Sequence, residues 1–147
     1  HTSYNDYEIV AANLLDGEHR RVGDRITAYA LFTDPPLGRV GMSEAQVRAS
    51  GRKALVGVMP MTRVGRARER GETRGFMKVF VDADSEQILG AALLCIEADE
   101  VVHSLLDAMA AKVSYRTIRR AVHIHPTVSE LIPTLLGQLV PLQPGPP

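Results

Sequence analysis

The chain has 147 residues, with 17 Lys and Arg balanced by 17 Asp and Glu, so its formal net charge is zero. That balance argues against a general role on nucleic acid or on a membrane surface. The single cysteine, Cys95, excludes an internal disulfide and a dithiol centre within this sequence.

The length fits one domain able to bury about 68–70% of its unfolded surface. The sequence starts at His1 without a methionine, and it carries no signal peptide or long apolar run. A piece of a longer, cytoplasmic protein is expected.

Asp6 to Leu15 reads as a short helix, with Ile9, Val10, Asn13 and Leu14 at helical spacing and Gly17 as the stop. Glu18 to Asp24 is a polar linker. Ile26 to Phe32 has strand composition, Asp34-Pro35-Pro36-Leu37-Gly38 is a turn or loop, and Arg39-Val40-Gly41 is a short strand. Ser43 and Gln46 form a capping box for a helix ended by Gly51. Ala54 to Met59 is a strand stopped by Pro60. The segment holding Arg63, Arg66, Arg68, Arg70 and Arg74 reads as a solvated loop. It has no interleaved aromatics on which single-stranded bases would stack.

Phe76 to Val81 and Ile88 to Cys95 make a hairpin turning at Ala83-Asp84-Ser85-Glu86. The second run is apolar on both faces, which predicts a central, covered strand with Cys95 buried at its end. Glu97 to Lys112 is the clearest helix, with Val102, Leu105, Leu106, Met109 and Val113 as its apolar stripe and His103 off it. Ser114 to Ala121 is a second helix with Arg119 and Arg120 outward. Val128, Leu131, Ile132, Leu135, Leu136 and Leu139 share one helical face, interrupted by Pro133, and Gln143 to Pro147 is a frayed tail. Strands come first and helices gather at the end. The predicted fold class is therefore α+β, an antiparallel β-sheet with flanking helices. No Gly-x-Gly-x-x-Gly follows a strand, so no dinucleotide fingerprint is present.

The chemistry concentrates in Val122-His123-Ile124-His125-Pro126-Thr127-Val128-Ser129-Glu130. Five residues separate His125 from Glu130, too many for a facing pair on one helix. Pro126 pushes His125 into extended or turn backbone, and a bend would let Glu130 fold back and orient the imidazole. The same residues fit a simpler role, a capping box of Thr127 and Glu130. His123 and His125 alternate as at a strand end, but a metal site needs at least a third ligand. Ser129 has the residue type of a nucleophile without the strained setting that exposes one.

Five segments in order carry a family resemblance: Val40-Gly41-Met42-Ser43-Glu44, Arg66-Ala67, Gly75-Phe76-Met77-Lys78-Val79, Ile88-Leu89-Gly90-Ala91 and His125-Pro126-Thr127-Val128-Ser129-Glu130. Together they resemble the C-terminal domain of the FAD-dependent pyridine nucleotide-disulphide oxidoreductases, such as dihydrolipoamide dehydrogenase and glutathione reductase. The resemblance implies that residues 1–24 leave an upstream FAD domain, that 25–141 form the dimerisation domain and that 142–147 are a disordered tail. It implies a homodimer in which His125, oriented by Glu130, enters the partner's active site as acid–base for a dithiol. The backbone of His125 and Pro126 would lie beside the partner's flavin, with the His125-Pro126 bond cis. FAD, NAD(P) and the redox cysteine pair would belong to upstream domains, and this piece alone would bind neither cofactor nor metal and would not be catalytic. The tail lacks a cysteine pair, and mercuric reductases lack a histidine at the position of His125, so both features argue against mercury reduction. Two other readings remain: a non-catalytic homodimerisation module with a vestigial histidine, and a metal-binding module using His123 and His125. The stripe from Val128 to Leu139 exceeds what one short helix needs, so it is expected to help form the two-fold interface.

Overall fold

The computed structural model describes residues 1–143. One antiparallel sheet organises them. Its strands are β1 (Ala28–Leu31), β2 (Leu37–Gly41), β3 (Ala54–Pro60), β4 (Phe76–Asp82), β5 (Ile88–Leu94) and β6 (Val140–Pro141), ordered β1-β2-β5-β4-β3-β6. The helices are α1 (Thr2–Leu15), α2 (Glu44–Ala49), α3 (Gly65–Glu69), α4 (Ala98–Ala110), α5 (Tyr115–Arg120) and α6 (Ile132–Leu136). No helix among the described residues is long and apolar enough to cross a membrane.

The expected β4–β5 hairpin forms, and β5 lies between β2 and β4, inside the sheet. The amphipathic α4 packs across β2 and β5, burying Ala98, Val101, Val102, Leu105 and Ala108. Glu97 and Lys112, read from the sequence as its ends, both take left-handed backbone and stand just outside it. Close approach of α4 to β2 needs Gly38, because a Cβ there would sit 2.2 Å from the Ala98 carbonyl oxygen. The opposite sheet face is covered at one end, where Val47 of α2 packs with Phe80 and Ala54. Tyr29, Leu31, Val58 and Phe76 remain exposed. The Ser43–Gln46 capping box forms in both directions.

Three expectations need correction. The arginine-rich segment is not a solvated loop. Met61, Val64 and Ala67 are spaced by three and fully buried, so they fold it into a 3₁₀ turn (Met61–Arg63) and α3. Its arginines point outward to carboxylates, Arg66 to Glu69, Arg70 to Glu97 and Arg74 to Asp34. Pro60 does not stop β3 but ends it in register with Phe76. It is tolerated because β6 pairs only with Leu55 and Val56, leaving that edge of β3 free at Pro60.

The third correction concerns the stripe from Val128 to Leu139, which is not an open surface, although Pro133 shifts the start of its helix as its position in the pattern predicts. A 3₁₀ turn (Ser129–Leu131) precedes α6, and Pro133 sits in the first turn of α6, where its missing N–H costs nothing. Val128, Ile132, Leu135 and Leu136 are buried in the chain's own core. Gly57 lets α6 approach β3, since a Cβ there would stand 3.0 Å from the Leu135 carbonyl oxygen. The stripe therefore covers β3 and is used up before any partner arrives. The next strand, β6, has only two residues, too few for a sequence pattern to declare. Leu142 donates its N–H to Ala54 and the Gln143 carbonyl accepts from Arg48. The rest of the expected tail, 144–147, lies outside the described residues.

Asp82 closes the β4–β5 turn by accepting the N–H groups of Ser85 at 2.8 Å and Asp84 at 3.0 Å, and Arg52 Nη1 at 2.9 Å. The Ser85 N–H and the Arg52 guanidinium together hold its carboxyl down at about 2, from an ordinary 3.8. A depressed carboxylate stabilises the fold fully above its unfolded pKa and loses that contribution as pH falls through the folded value. The stability advantage of the wild type over Asp82→Asn, read by urea unfolding, should thus be constant above pH about 5 and vanish towards pH about 2. Gly38→Ala should lower stability by about 1–3 kcal/mol with an unchanged urea slope, because α4 must lift off β2.

Candidate functional site

Helix α5 ends at Ala121 in extended backbone, and a loop runs from Val122 to Val128 before the 3₁₀ turn. Three polar braces fix this loop. His123 Nδ1 lies 3.0 Å from the Ser129 carbonyl oxygen, which can only accept, so that nitrogen carries the proton. Thr127 Oγ1 donates to the Ile124 carbonyl at 2.7 Å. Glu130 Oε2 accepts from His125 Nδ1 at 2.7 Å and from the Thr127 N–H at 3.4 Å. The His125-Pro126 peptide is cis, and so is Asp34-Pro35. Val128 plugs the loop into the core at 3% exposure.

One carboxylate oxygen thus holds the imidazole and the turn together. The Thr127 hydroxyl donates to the Ile124 carbonyl, and the reciprocal half of a capping box, a bond from the Glu130 N–H to that hydroxyl, does not form. The pair is asymmetric in burial: the Glu130 side chain is 11% exposed and the His125 side chain 76%. Glu130 Oε1 faces the start of α3, where a Cβ on Gly65 would come within 3.5 Å. With Nδ1 donating to a carboxylate, the ring's other nitrogen is left to exchange a proton with a group brought from outside.

Other candidates fall elsewhere. His123 and His125 do not share a strand face, since the segment is not a strand and His123 turns inward to Ser129. Among the described residues, no group of three or more His, Cys, Asp and Glu could hold a metal ion. The Ser129 hydroxyl is 3.5 Å from Thr127 Oγ1 and pairs with no histidine, so no nucleophile–base pair forms there. His103 is exposed on α4. A groove of about 800 Å³ between α1 and α4 is lined by residues such as Asn5, Arg25, Ile88, Leu106 and Asp107 and does not include His125 or Glu130. Sequence reasoning missed the Thr127–Ile124 and His123–Ser129 braces and the proximity of Gly65. The two braces are local contacts that Ser, Thr and His make in any turn. The Gly65 contact joins residues remote in sequence.

The sequence profile described as the pyridine nucleotide-disulphide oxidoreductase dimerisation domain matches residues 27–136. A probable pyridine nucleotide-disulfide oxidoreductase RclA of Escherichia coli is 38% identical over 136 residues, covering 92% of this chain and 31% of that protein. Dihydrolipoyl dehydrogenase 2 of Haloarcula marismortui is 36% identical over 84% of this chain and 26% of its own length. An uncharacterized 19.7 kDa protein in a mercuric resistance operon of Staphylococcus aureus is 30% identical, over 89% of this chain and 73% of that protein. The solved structure of the HOCl-induced flavoprotein disulfide reductase RclA from Escherichia coli superposes with a TM-score of 0.84 at 37% identity, over 91% of this chain and 31% of that one. The chain thus spans about a third or less of the length of its first relatives.

Cys95 stands apart from any redox role. It is fully buried, and burial, reinforced by Asp99 and Glu97, pushes its thiol up to about 12. At pH 8 the folded chain should not react with a chromogenic disulfide reagent, whereas the chain unfolded in guanidinium should react at once through its one thiol. Rapid stoichiometric labelling of the native protein would contradict this burial.

Proposed function

The chain belongs to the pyridine nucleotide-disulphide oxidoreductase dimerisation-domain family, and from that premise we propose that it pairs two copies of a FAD- and NAD(P)-dependent disulphide reductase, His125 of each copy serving the other's active site. The carrying observation is the His125–Glu130 contact, 2.7 Å long with its carboxylate sheltered and its ring in the open. An oriented, exposed imidazole can serve a reacting group, and among the described residues the one thiol is buried and does not reach it. A second subunit that brings the sulphur chemistry to the ring supplies it.

The described residues carry no Rossmann-type dinucleotide motif, since every strand pairing is antiparallel and no Gly-x-Gly-x-x-Gly turn joins a strand to a helix. FAD and NAD(P) would be held by domains outside this chain, and when bound there they supply the electrons for disulphide reduction. The work of this chain is protonic. The free ring nitrogen of His125 delivers a proton to the departing sulphur of a disulphide, and takes one from a thiol in the reverse direction. The Glu130 carboxylate keeps the ring aimed by accepting its Nδ1–H, which leaves the other nitrogen for the proton transfer. A cytoplasmic setting is the reading that goes with the unpaired thiol of Cys95 in this chain.

The Thr127 N–H bond to the same Glu130 oxygen favours one competing reading, in which the glutamate merely closes the turn of a dimerisation module and His125 is vestigial. The two readings separate in the longer polypeptide that carries this chain. His125→Ala should slow dithiol turnover by about 10²–10⁴-fold while leaving reduction of the flavin by nicotinamide intact, because the imidazole moves protons and not hydride. Unchanged dithiol turnover would favour the vestigial histidine.

A further inference from the structure

We propose that Val122 and Ile124 are the apolar anchors that seat the His125 loop on a second copy of this chain. The inference rests on the reading of His125 as a residue used by the partner and adds what holds it there. Val122 is 98% exposed and Ile124 79%, although both are large and apolar. Single exposed apolar residues are common and need no explanation. Here two of them flank a histidine that turns inward, and they lie within three residues of the exposed ring.

The surroundings match the anatomy of an interface core. From Ala121 to Ser129 there is no Lys, Arg, Asp or Glu, whereas α5 just before it carries Arg116, Arg119 and Arg120. Surface loops are ordinarily polar, and interface cores are depleted of charge within a charged rim. The loop is also pre-shaped. The His123–Ser129, Thr127–Ile124 and Glu130–Thr127 contacts hold it from behind, so little conformational freedom remains to be lost on docking. Apolar side chains presented rigidly bury their surface on docking with little freedom left to lose.

A second copy is the occupant that fits. Self-association is the role of the family, and a two-fold contact sets the same loop against its partner twice, doubling the effect of each side chain. The loop that carries His125 across cannot avoid meeting the surface around the partner's active site, and Val122 and Ile124 are its leading apolar groups.

The test uses the longer polypeptide, with mass measured by light scattering across a dilution series. Val122→Asp combined with Ile124→Asp should raise the dimer dissociation constant by at least about 100-fold. The circular-dichroism spectrum should stay as in the wild type, because both side chains are exposed in the single chain. The thermal midpoint should fall only by what loss of the partner removes and lose its dependence on protein concentration. Val122→Ser with Ile124→Ser, which adds no charge, should give a smaller shift in the same direction. His125→Ala should leave the dimer unchanged and so separates anchoring from chemistry. A wild-type dissociation constant in the aspartate variant, or a wild-type polypeptide that is monomeric, overturns the proposal. If the aspartate variant stays dimeric while His125→Ala loses dithiol turnover, the anchors are wrong and the catalytic reading stands. If the variant falls to monomers while His125→Ala is fully active, the anchors stand without it.

Discussion

Glu130 is the constraint on which the C-terminal third of the chain depends. It is nearly buried, against the start of α3, and a single oxygen of its carboxylate ties His125 to the backbone of Thr127. Removing that oxygen would release both the ring and the turn. Capping and orientation, which look like alternatives when only spacing is known, are two uses of one atom. The sheet's part is to make the placement rigid: Val128 and Ile132 are buried just before and just after the 3₁₀ turn that carries Glu130, so the carboxylate cannot drift.

The surface available for pairing differs from the one that composition points to. The longest apolar run near the C-terminus is consumed internally, Leu135 lying over Gly57 and Ile132 in the main core. What remains open is scattered: the Val122–Ile124 pair, the uncovered part of the sheet at Tyr29, Leu31, Val58 and Phe76 with Phe32 beside it, and the outer side of α1 at Tyr4, Tyr7, Val10, Leu14 and Leu15. An amphipathic segment announces that it will be covered, and by itself it does not say whether its own sheet or a partner does the covering.

The same logic explains what was legible beforehand. Elements specified by local chemistry could be read directly: the Ser43–Gln46 capping box, the two apolar runs of β4 and β5 with the polar turn between them, and the stripe of α4. Elements specified by distant partners could not. α3 is hidden by its arginines, although Met61, Val64 and Ala67 underneath them are what fold it. β6 exists only because β3 offers an edge at Leu55 and Val56. At the site, the residue types and the bend at Pro126 were legible. The shared use of Glu130 Oε2 and the outward projection of Val122 and Ile124 were not, because the alternation of 122–125 imitates a strand end and exposure is a property of the whole fold.

The central claim, that His125 acts across the subunit boundary, is tested most directly by mixing two inactive variants of the longer polypeptide. One carries His125→Ala, and the other lacks the redox cysteines that lie outside this chain. If the histidine serves its partner, each mixed dimer contains one site with both an intact cysteine pair and an intact His125, and dithiol turnover returns on subunit exchange. If the histidine serves its own subunit, every site in the mixed dimer lacks one component, and verified mixed dimers without recovered turnover would contradict the account.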